Sequence, residues 1–295
     1  MRTGVIAVAV WLVGGLPLVA QAPNTDTASI KFLTGLRGED GGYAPAPARP
    51  GTPLRSSLRA TTSALRAIKY LGGRPEDTAA TAKFAERCYD KSIGGFADYP
   101  GEAPTVSTTA VGAMAAVELK LPPDLYRDGV TRYLTEHAKT MEDIRIAAAT
   151  FESFGTRAPK ADDWLRQIAA TRNPDGTYGS GPGLARATGG TAAMILRLGG
   201  TLEHRDAVLK AMRDGQRPDG GYGTAEREGS DLESTYRVVR GFVMLKERPA
   251  DVAKLRAFIG KCRSADGGYG VMPGQPPTAA GTYFAAILLH WLDGR

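Results

Sequence analysis

Two kinds of segment alternate along the chain, and they differ in how apolar and polar residues are placed. One kind is amphipathic, with apolar residues at helical spacing between charged ones, as in residues 201–213 and 249–263. The other kind is dominated by Ala, Thr, Gly and Leu and occupies residues 105–119, 186–198, 231–245 and 277–291. Small residues on all sides suit helices of a closely packed inner layer, and polar faces suit an outer layer in water. The alternation therefore predicts paired outer and inner helices.

A short turn phrase of Asp, Gly and an aromatic residue joins the two helices of a pair. Asp can bond back to its own backbone, Gly takes positive φ without steric cost, and the ring covers the hairpin end. The first glycines of the phrases are 53, 82, 44 and 47 residues apart, and they are Gly41, Gly94, Gly176, Gly220 and Gly267. Because 82 is twice 41, we expect a sixth unit whose phrase has decayed near residues 135–139.

The units at the two ends of the repeat look like the others, which favours a closed ring. An open stack of repeats needs atypical capping units at its ends. Residues 27–71 and 249–291 instead follow the common pattern. The sequence thus predicts an all-α fold, a single-domain (α/α)6 toroid of six outer and six inner helices over residues 23–295. A ring of this kind leaves a central lumen, which is the natural ligand site.

The N-terminal segment predicts export. Arg2 precedes an apolar run over residues 5–20, and Ala20-Gln21-Ala22 matches a signal peptidase site, so residues 1–22 are expected to be a signal peptide. A secreted or periplasmic location follows from this. The run is too short and too rich in Gly and Pro for a membrane span, and we expect no transmembrane span after its removal.

Charge and cysteine placement narrow the function classes. The net charge is +6, and basic residues alternate with acidic ones instead of forming a stripe, so nucleic acid is excluded as a partner. Cys88 and Cys262 fall at matching ends of the second and sixth hairpins, with the first hairpin between them. This separation predicts two free, buried thiols.

The repeated Gly-Gly-aromatic turn resembles the prenyltransferase and squalene oxidase repeat family over essentially the whole predicted domain. Within that family, the chain looks like the β subunit of the protein farnesyl- and geranylgeranyltransferases. The Asp-x-Arg of that subunit's third inner helix is matched by Asp143 and Arg145. Its His-Gly-Gly, whose His contacts the isoprenoid diphosphate, is matched by Thr188-Gly189-Gly190. The resemblance therefore implies ligand-binding roles for Asp143, Arg145 and Thr188, and an isoprenoid or other apolar ligand.

The metal site implied by the same resemblance is incomplete. The family's zinc ligands are an Asp-x-Cys on the fifth inner helix and a His that opens the sixth, and these fall on Asp231, Glu233 and Gly281. The diphosphate-binding Arg and Lys fall on Ala225 and Glu228. Zinc sites normally draw on Cys and His. The resemblance makes zinc possible, but only Asp231 of the three ligands is retained, so no metal ligands are predicted and the cofactor is left unknown.

Residues 231–235 also resemble the Asp-x-Asp-Asp-Thr motif of squalene and class II terpene cyclases. In that chemistry a carboxyl group kept in its protonated form protonates an alkene or epoxide. Glu233 would be the acid, with Asp231 beside it as the second candidate catalytic residue. The alternative is structural: Ser230 or Asp231 caps the inner helix, and the carboxylates in its first turn are stabilised by the helix dipole.

Several arginines lie in inner-layer segments, where a charge must be paired or face a wet cavity. Arg59, Arg186 and Arg237 are such residues and suggest an anionic or polyol ligand, so Arg186 and Arg237 join the candidate ligand-binding residues. Asp143 and Arg145 either bind a ligand head group or form an internal salt bridge between inner helices.

Three function classes remain open. The first is a lumen that binds an isoprenoid or other apolar ligand, with transferase chemistry possible. The second is a noncatalytic interaction scaffold in the cell envelope with a protein partner. The third is a polysaccharide lyase or glycosidase, in which Asp143 and Glu233 would face each other across a polar cleft. An apolar, aromatic-lined lumen would favour the first class, and a plugged lumen the second.

Overall fold

The computed structural model describes residues 26–294, and within them lie twelve α-helices. They are α1 (Thr27–Thr34), α2 (Leu58–Tyr70), α3 (Thr78–Arg87), α4 (Val106–Glu118), α5 (Arg127–His137), α6 (Met141–Phe154), α7 (Ala161–Ala169), α8 (Leu184–Arg197), α9 (Arg205–Asp214), α10 (Leu232–Met244), α11 (Val252–Lys261) and α12 (Ala279–Leu292). Strands β1 (Tyr89–Asp90) and β2 (Gly95–Phe96) pair antiparallel across the turn of the second unit. The prediction of six helical hairpins is confirmed, including the hairpin α5–α6 at the decayed turn.

The even-numbered helices form the inner ring and the odd-numbered helices surround it. Each inner helix packs against the next one along the chain, from α2 through α4, α6, α8 and α10 to α12, and α12 packs against α2. The outer helices contact inner helices, as in the pairs α1·α2, α3·α4, α8·α9 and α11·α12. The chain therefore closes on itself as the all-α (α/α)6 toroid that the sequence predicts.

The ring closes where the last turn phrase meets the first helix. Gly267 has φ of +89°, and a Cβ placed on it would lie 2.6 Å from the backbone of Ala28 in α1. The Ser29 hydroxyl donates to the Gly267 carbonyl at 2.6 Å, and Arg263 pairs with Asp26 at 2.8 Å. Only glycine fits this approach of two backbones. Gly267 thus joins α1 to the last unit.

Local sequence explains where the inner helices begin. A side-chain oxygen at the N-cap accepts a hydrogen bond from a backbone N–H of the first turn and satisfies a donor that the helix leaves free. Five inner helices have such a cap, and the capping residues are Ser57, Thr105, Thr140, Asp231 and Thr278.

The core lies between the two layers. Inner helices contribute small residues that are fully buried, among them Ala64, Ala113 and Ala147, and these let the layers approach closely. Outer helices contribute large side chains such as Phe84, Trp164 and Phe258, each at most 1% exposed. Small inner residues and large outer ones are what the alternating pattern in the sequence predicts.

Three further predictions concern the chain ends and the thiols. The predicted signal peptide, residues 1–22, lies outside the described residues, as do residues 23–25 and 295. Among residues 26–294, no helix combines the length and apolar character needed to cross a bilayer. Cys88 and Cys262 are free and buried, as predicted, and burial raises the pKa of each thiol to about 12.

Candidate functional site

The centre of the ring is an open cavity of about 380 Å³. All six inner helices contribute to its wall, through Arg59, Thr62, Ser63, Arg66, Val111, Met114, Val117, Glu118, Arg145, Ile146, Ala149, Glu152, Ser153, Arg197, Glu233, Tyr236, Arg237, Arg240, Ala280, Tyr283, Phe284 and Ile287. Its size falls in the range of about 300–1,000 Å³ that is usual for small-molecule sites. The lumen predicted from ring closure is therefore present and is not plugged.

The ion pairs of the wall show that the inner helices point the same way. Arg237 of α10 reaches Glu142 in the first turn of α6, whereas Arg197 at the end of α8 reaches Glu152 in the last turn of α6. The N-terminal halves of α6 and α10 thus lie side by side, as do the C-terminal ends of α6 and α8. The lumen consequently has two ends, each with its own group of charged residues.

The two ends differ in how open they are. At the first-turn end, which we call the mouth, the side chains of Arg59 and Glu233 are 53% and 42% exposed, and Ala280 is exposed. At the opposite end, which we call the deep end, the side chains of Arg66 and Arg197 are 23% and 7% exposed. The difference is one of degree, because Glu152 at the deep end is 38% exposed and Arg237 at the mouth is 13% exposed.

Between the two ends the wall is apolar and rich in aromatic rings. Tyr283 and Phe284 of α12 lie beside Tyr236 of α10, with ring centroids 6.1 Å and 5.4 Å from that of Tyr236. Tyr236 also stacks on Trp291 at 5.5 Å. Aliphatic and Met side chains complete this band, including Val111, Met114, Ile146 and Ile287. Such a surface favours an apolar chain.

The mouth carries a tightly paired group of charges, the mouth cluster, which consists of Glu142, Arg145, Arg186, Glu233 and Arg237. Glu142 accepts from Arg145 at 2.6 and 3.0 Å and from Arg237 at 2.9 and 3.0 Å. Burial alone would raise the pKa of Glu142, but the hydrogen bonds and charges of these two arginines outweigh it and lower the pKa to about 2. Glu142 is thus an anion at neutral pH.

Glu233, the candidate acid, is engaged by the same arginines. Arg237 donates to one of its carboxylate oxygens at 2.6 and 3.1 Å, and Arg186 lies 3.5 Å away. Burial and the neighbouring charge of Arg237 lower the pKa of Arg186, whose side chain lies outside the cavity wall. These contacts make Glu233 an ion-pair partner of Arg237 and Arg186.

Asp231 and Asp143 both cap helices. The two carboxylate oxygens of Asp231 accept from the backbone N–H and hydroxyl of Ser234 at 2.7 and 2.8 Å, at the N-cap of α10. Asp143 exchanges hydrogen bonds with Thr140 in a capping box at the start of α6. Neither lies in the cavity wall. Arg145 pairs with Glu142 of its own helix, and Asp143 caps that helix, so neither residue pairs directly with a charge on a neighbouring inner helix among residues 26–294.

Thr188 belongs to a repeated structural contact rather than to the lumen. Its fully buried hydroxyl accepts from the backbone N–H of Tyr178 at 3.1 Å and donates to the carbonyl of the same residue. The same threonine-to-aromatic contact recurs in four other units, at Thr61–Tyr43, Thr109–Phe96, Thr235–Tyr222 and Thr282–Tyr269. In α6 the corresponding position, four residues after the N-cap, is the buried Ile144. This threonine column is a signal that the sequence contained and our sequence analysis missed.

The residues present do not fit the zinc that the resemblance implies. Both oxygens of Asp231 are used by Ser234, Glu233 is held by arginines, and Gly281 has no side chain. Among residues 26–294, no group of three His, Cys, Asp or Glu side chains is placed to hold a metal ion. Asp231, Glu233 and Gly281 therefore do not form a zinc site.

The deep end holds a second charged group that sequence analysis missed. This deep-end cluster consists of Arg66, Glu118, Glu152, Arg197 and Arg240, and all five line the cavity. Glu152 is shared by Arg197 at 2.9 Å and Arg240 at 2.6 Å. Glu118 pairs with the outward-lying Lys69 at 2.9 Å and lies 3.9 Å from Arg66. The only available signal was the presence of these arginines in inner-layer segments.

The positive charges of these arginines also affect the pKa of Tyr236 in the aromatic band. Burial raises the pKa of Tyr236, but the charges of Arg197, Arg66, Arg240 and Arg145 outweigh burial and lower the pKa to about 8. Burial and its neighbour Tyr236 raise the pKa of Tyr283 well above its usual value. Three arginines of the deep-end cluster and Arg145 of the mouth cluster therefore favour a negative charge at Tyr236.

Comparisons with known proteins agree with this architecture. The family described as prenyltransferase alpha-alpha toroid domain matches residues 75–120 and 126–294. Candida albicans protein geranylgeranyltransferase-I, solved in complex with GGPP, has a TM-score of 0.62 at 13% identity over 79% of this chain and 84% of that chain. The type II terpene cyclase MstE from Scytonema has a TM-score of 0.63 at 11% identity, over 92% of this chain and 96% of that chain. A variant of that cyclase, solved with geranylgeranyl dihydroxybenzoate, has the same TM-score at 12% identity and the same coverage. No curated protein matches the chain by sequence.

Proposed function

This chain belongs to the prenyltransferase α/α toroid domain family, and from that premise we propose that its lumen binds an isoprenoid or a similar ligand with an apolar chain. The observation that carries the proposal is the aromatic band formed by Tyr236, Tyr283 and Phe284 around an open cavity of about 380 Å³. Burying an apolar chain against such a wall gains about 25 cal/mol for each Å² removed from water.

The solved structures of similar fold support the same class of ligand. One of them holds GGPP and another holds geranylgeranyl dihydroxybenzoate, and both ligands carry a geranylgeranyl chain. In this chain the corresponding space is open and apolar in its middle. The shared toroid and the open lumen together make an isoprenoid the best-supported occupant.

Ligand binding is better supported than either protein prenylation or glycoside hydrolysis. Protein prenylation would need the zinc ligands, and Asp231, Glu233 and Gly281 do not supply them. Glycoside hydrolysis would need one protonated carboxyl group beside the substrate. Glu142 and Glu233 are instead both ion-paired with Arg237. The proposal is thus a binding chamber, and transferase chemistry is not assigned.

Export is part of the proposal. The apolar segment over residues 5–20 and the small residues Ala20 and Ala22 support a mature chain that begins at Pro23 outside the cytoplasm. N-terminal sequencing of the protein recovered from its native host would give Pro23 if this is correct. A chain that retains residues 1–22 in the cytoplasmic fraction would contradict it.

Native mass spectrometry with added farnesol and geranylgeraniol tests the proposed binding. We expect one lipid per protein chain, with saturable binding. Ala149 lines the cavity and is 9% exposed, so Ala149→Phe should fill the lumen and weaken binding by about tenfold or more. The matched control is Ala257→Phe on the exposed face of α11, which should bind as the wild type does.

Two results would count against a binding lumen. One is the absence of any complex with either alcohol at saturating concentration, with the protein shown to be folded by circular dichroism. The other is equal binding by Ala149→Phe and the wild type, which would place the lipid outside the ring.

A further inference from the structure

The deep end of the lumen contains cationic groups that the protein itself does not fully pair. Three arginines converge there from three different inner helices: Arg66 from α2, Arg197 from α8 and Arg240 from α10. The same end has two carboxylates, Glu118 and Glu152. Because Glu118 also pairs with Lys69, four cations meet two anions. The group therefore carries an excess of positive charge.

Hydrogen-bond donors remain unused in this group. The Nε atoms of Arg66 and Arg240 are buried and have no hydrogen-bond partner among residues 26–294. Within residues 26–294 the terminal nitrogens of Arg66 donate to the sulfur of Met114 and the hydroxyl of Tyr70, each at 3.4 Å, and the guanidinium lies over the Tyr283 ring at 5.4 Å and beside Glu118 at 3.9 Å. A buried charged donor without an acceptor is costly. The fold tolerates this cost where the wall faces an open cavity, which points to an acceptor supplied from outside.

A side chain already inside the pocket responds to the same positive field. Tyr236 lies in the aromatic band next to this end of the lumen, and the charges of Arg197, Arg66 and Arg240, with that of Arg145, outweigh its burial in lowering its pKa. A group that becomes an anion is thus stabilised here, in the position that a ligand's anionic group would share. At neutral pH the protonated phenol is also a hydrogen-bond donor.

The arginines that form the mouth cluster and line the lumen are already paired with carboxylates of the protein. Arg145 and Arg237 meet Glu142 and Glu233 at 2.6–3.1 Å. Arg59, which also lines the lumen there, lies 3.7 Å from Asp98, and its side chain is 53% exposed to water. The nitrogen Nε of Arg186 is also unpartnered within residues 26–294, but Arg186 lies outside the cavity wall. Thr188, on which the family's diphosphate contact falls, is buried away from the lumen.

We propose that Arg66 and Arg240, with Arg197 and Tyr236 beside them, form an oxyanion pocket that receives the phosphate or carboxylate head group of the lumen ligand at the deep end. The ligand then enters head first, with its apolar chain against the aromatic band and its tail toward the mouth. This inference rests on the proposed function, since it assumes that an apolar chain occupies the lumen.

Isothermal titration calorimetry with three ligands of equal chain length tests the pocket: farnesol, farnesoic acid and farnesyl monophosphate. The two acids distinguish a carboxylate from a phosphate head group. For the wild type we expect at least one of the two acids to bind about tenfold or more tightly than the alcohol, as charge-assisted hydrogen bonds predict. Arg66→Gln and Arg240→Gln should each reduce that preference to about threefold or less, with little change for farnesol.

Control variants locate the effect. Arg256→Gln removes an arginine on α11 that pairs with Asp293 and lies outside the cavity wall, so it should leave the preference unchanged. Arg66→Lys keeps the charge but loses the guanidinium donors, and should retain an intermediate preference. Thermal melting of each variant shows whether it is folded, and Arg240→Gln provides an independent test if Arg66→Gln is not.

The outcomes separate failure of the pocket from failure of the proposed function. If neither the acids nor farnesol bind, the proposed function is wrong. If farnesol binds but the wild type shows no preference for either acid, the oxyanion pocket is wrong. A preference that persists in Arg66→Gln and Arg240→Gln but is lost in Arg237→Gln would place the head group at the mouth and also overturn the proposal.

Discussion

At the mouth of the lumen, Arg237 contacts Glu142 and Glu233 at 2.6–3.1 Å, whereas at the deep end Arg66 lies 3.9 Å from Glu118. Both residues are arginines on inner helices and both line the same cavity. Arg237 connects α10 to α6 through its ion pair with Glu142. Arg66 is linked to Glu118 of α4 only through its Nε at 3.9 Å, and that Nε makes no hydrogen bond within residues 26–294.

The difference separates charges that hold the ring together from charges that serve a ligand. A paired arginine contributes to folding, because its hydrogen bonds are already made before any ligand arrives. An unpaired one in a cavity wall lowers the stability of the empty protein and regains the loss on binding. We therefore interpret Arg237 at the mouth as mainly structural and Arg66 at the deep end as mainly functional.

The largest effect expected from this comparison is on stability. Arg237→Met removes charge-assisted hydrogen bonds between two inner helices and should lower the free energy of unfolding by about 2 kcal/mol. Arg66→Met removes a poorly paired charge and should leave stability within about 1 kcal/mol of the wild type, or raise it. Urea unfolding of the ligand-free proteins measures both. Equal destabilisation by the two substitutions would remove the distinction between the ends.

A smaller effect on the free energy of unfolding is expected at acidic pH. Glu142 has a pKa of about 2 in the folded protein and an ordinary value near 4.3 when unfolded, so its contribution to stability is present above about pH 4.5. The contribution is lost as the pH falls toward 2. The difference in unfolding free energy between the wild type and Glu142→Gln should thus shrink between pH 4.5 and 2.

Glu136 provides the control for the acid experiment, because it is exposed on the outer helix α5. The free energy of unfolding of Glu136→Gln should equal that of the wild type at every pH. A constant difference between the wild type and Glu142→Gln over the same range would show that the mouth arginines do not act through the charge of Glu142.

The smallest effect concerns Tyr236 and ligand affinity. Above its pKa of about 8 the phenolate competes with an anionic ligand for the arginines, so affinity for farnesoic acid should fall by a factor of about two to five from pH 7 to pH 9. Farnesoic acid keeps its charge over this range. Tyr236→Phe should abolish the decline, and an unchanged decline in that variant would assign it elsewhere. The charged and titratable groups around Tyr236 are Arg66, Tyr70, Glu118, Arg145, Glu152, Arg197, Arg240, Tyr283 and His290.

The fold could be predicted from the sequence because its information is local and repeated. Each turn phrase specifies a hairpin, as Gly267 shows, and five copies suffice to count six units even where the phrase near residue 138 has decayed. The free thiols of Cys88 and Cys262 followed from the same count. These conclusions need only the order of the segments along the chain.

The site could be predicted only in part, because it depends on the direction of each side chain around its helix. Glu233, Arg145 and Arg237 lie in the lumen wall, whereas Asp143 and Asp231 cap helices. Glu142, one residue from the predicted Asp143, is the carboxylate that pairs with Arg237. A shift of one residue turns a helical side chain by about 100°. The deep-end cluster draws on five helices, and no spacing in the sequence brings these residues together.

A crystal structure of the wild-type protein with farnesyl monophosphate tests the account most directly. We predict the farnesyl chain along Tyr236, Tyr283 and Phe284, and the phosphate within about 3.2 Å of a guanidinium nitrogen of Arg66 or Arg240. A phosphate bound at the mouth, on Arg186 or Arg237, would contradict the assignment of the two ends. A lipid bound outside the ring would contradict the binding lumen itself.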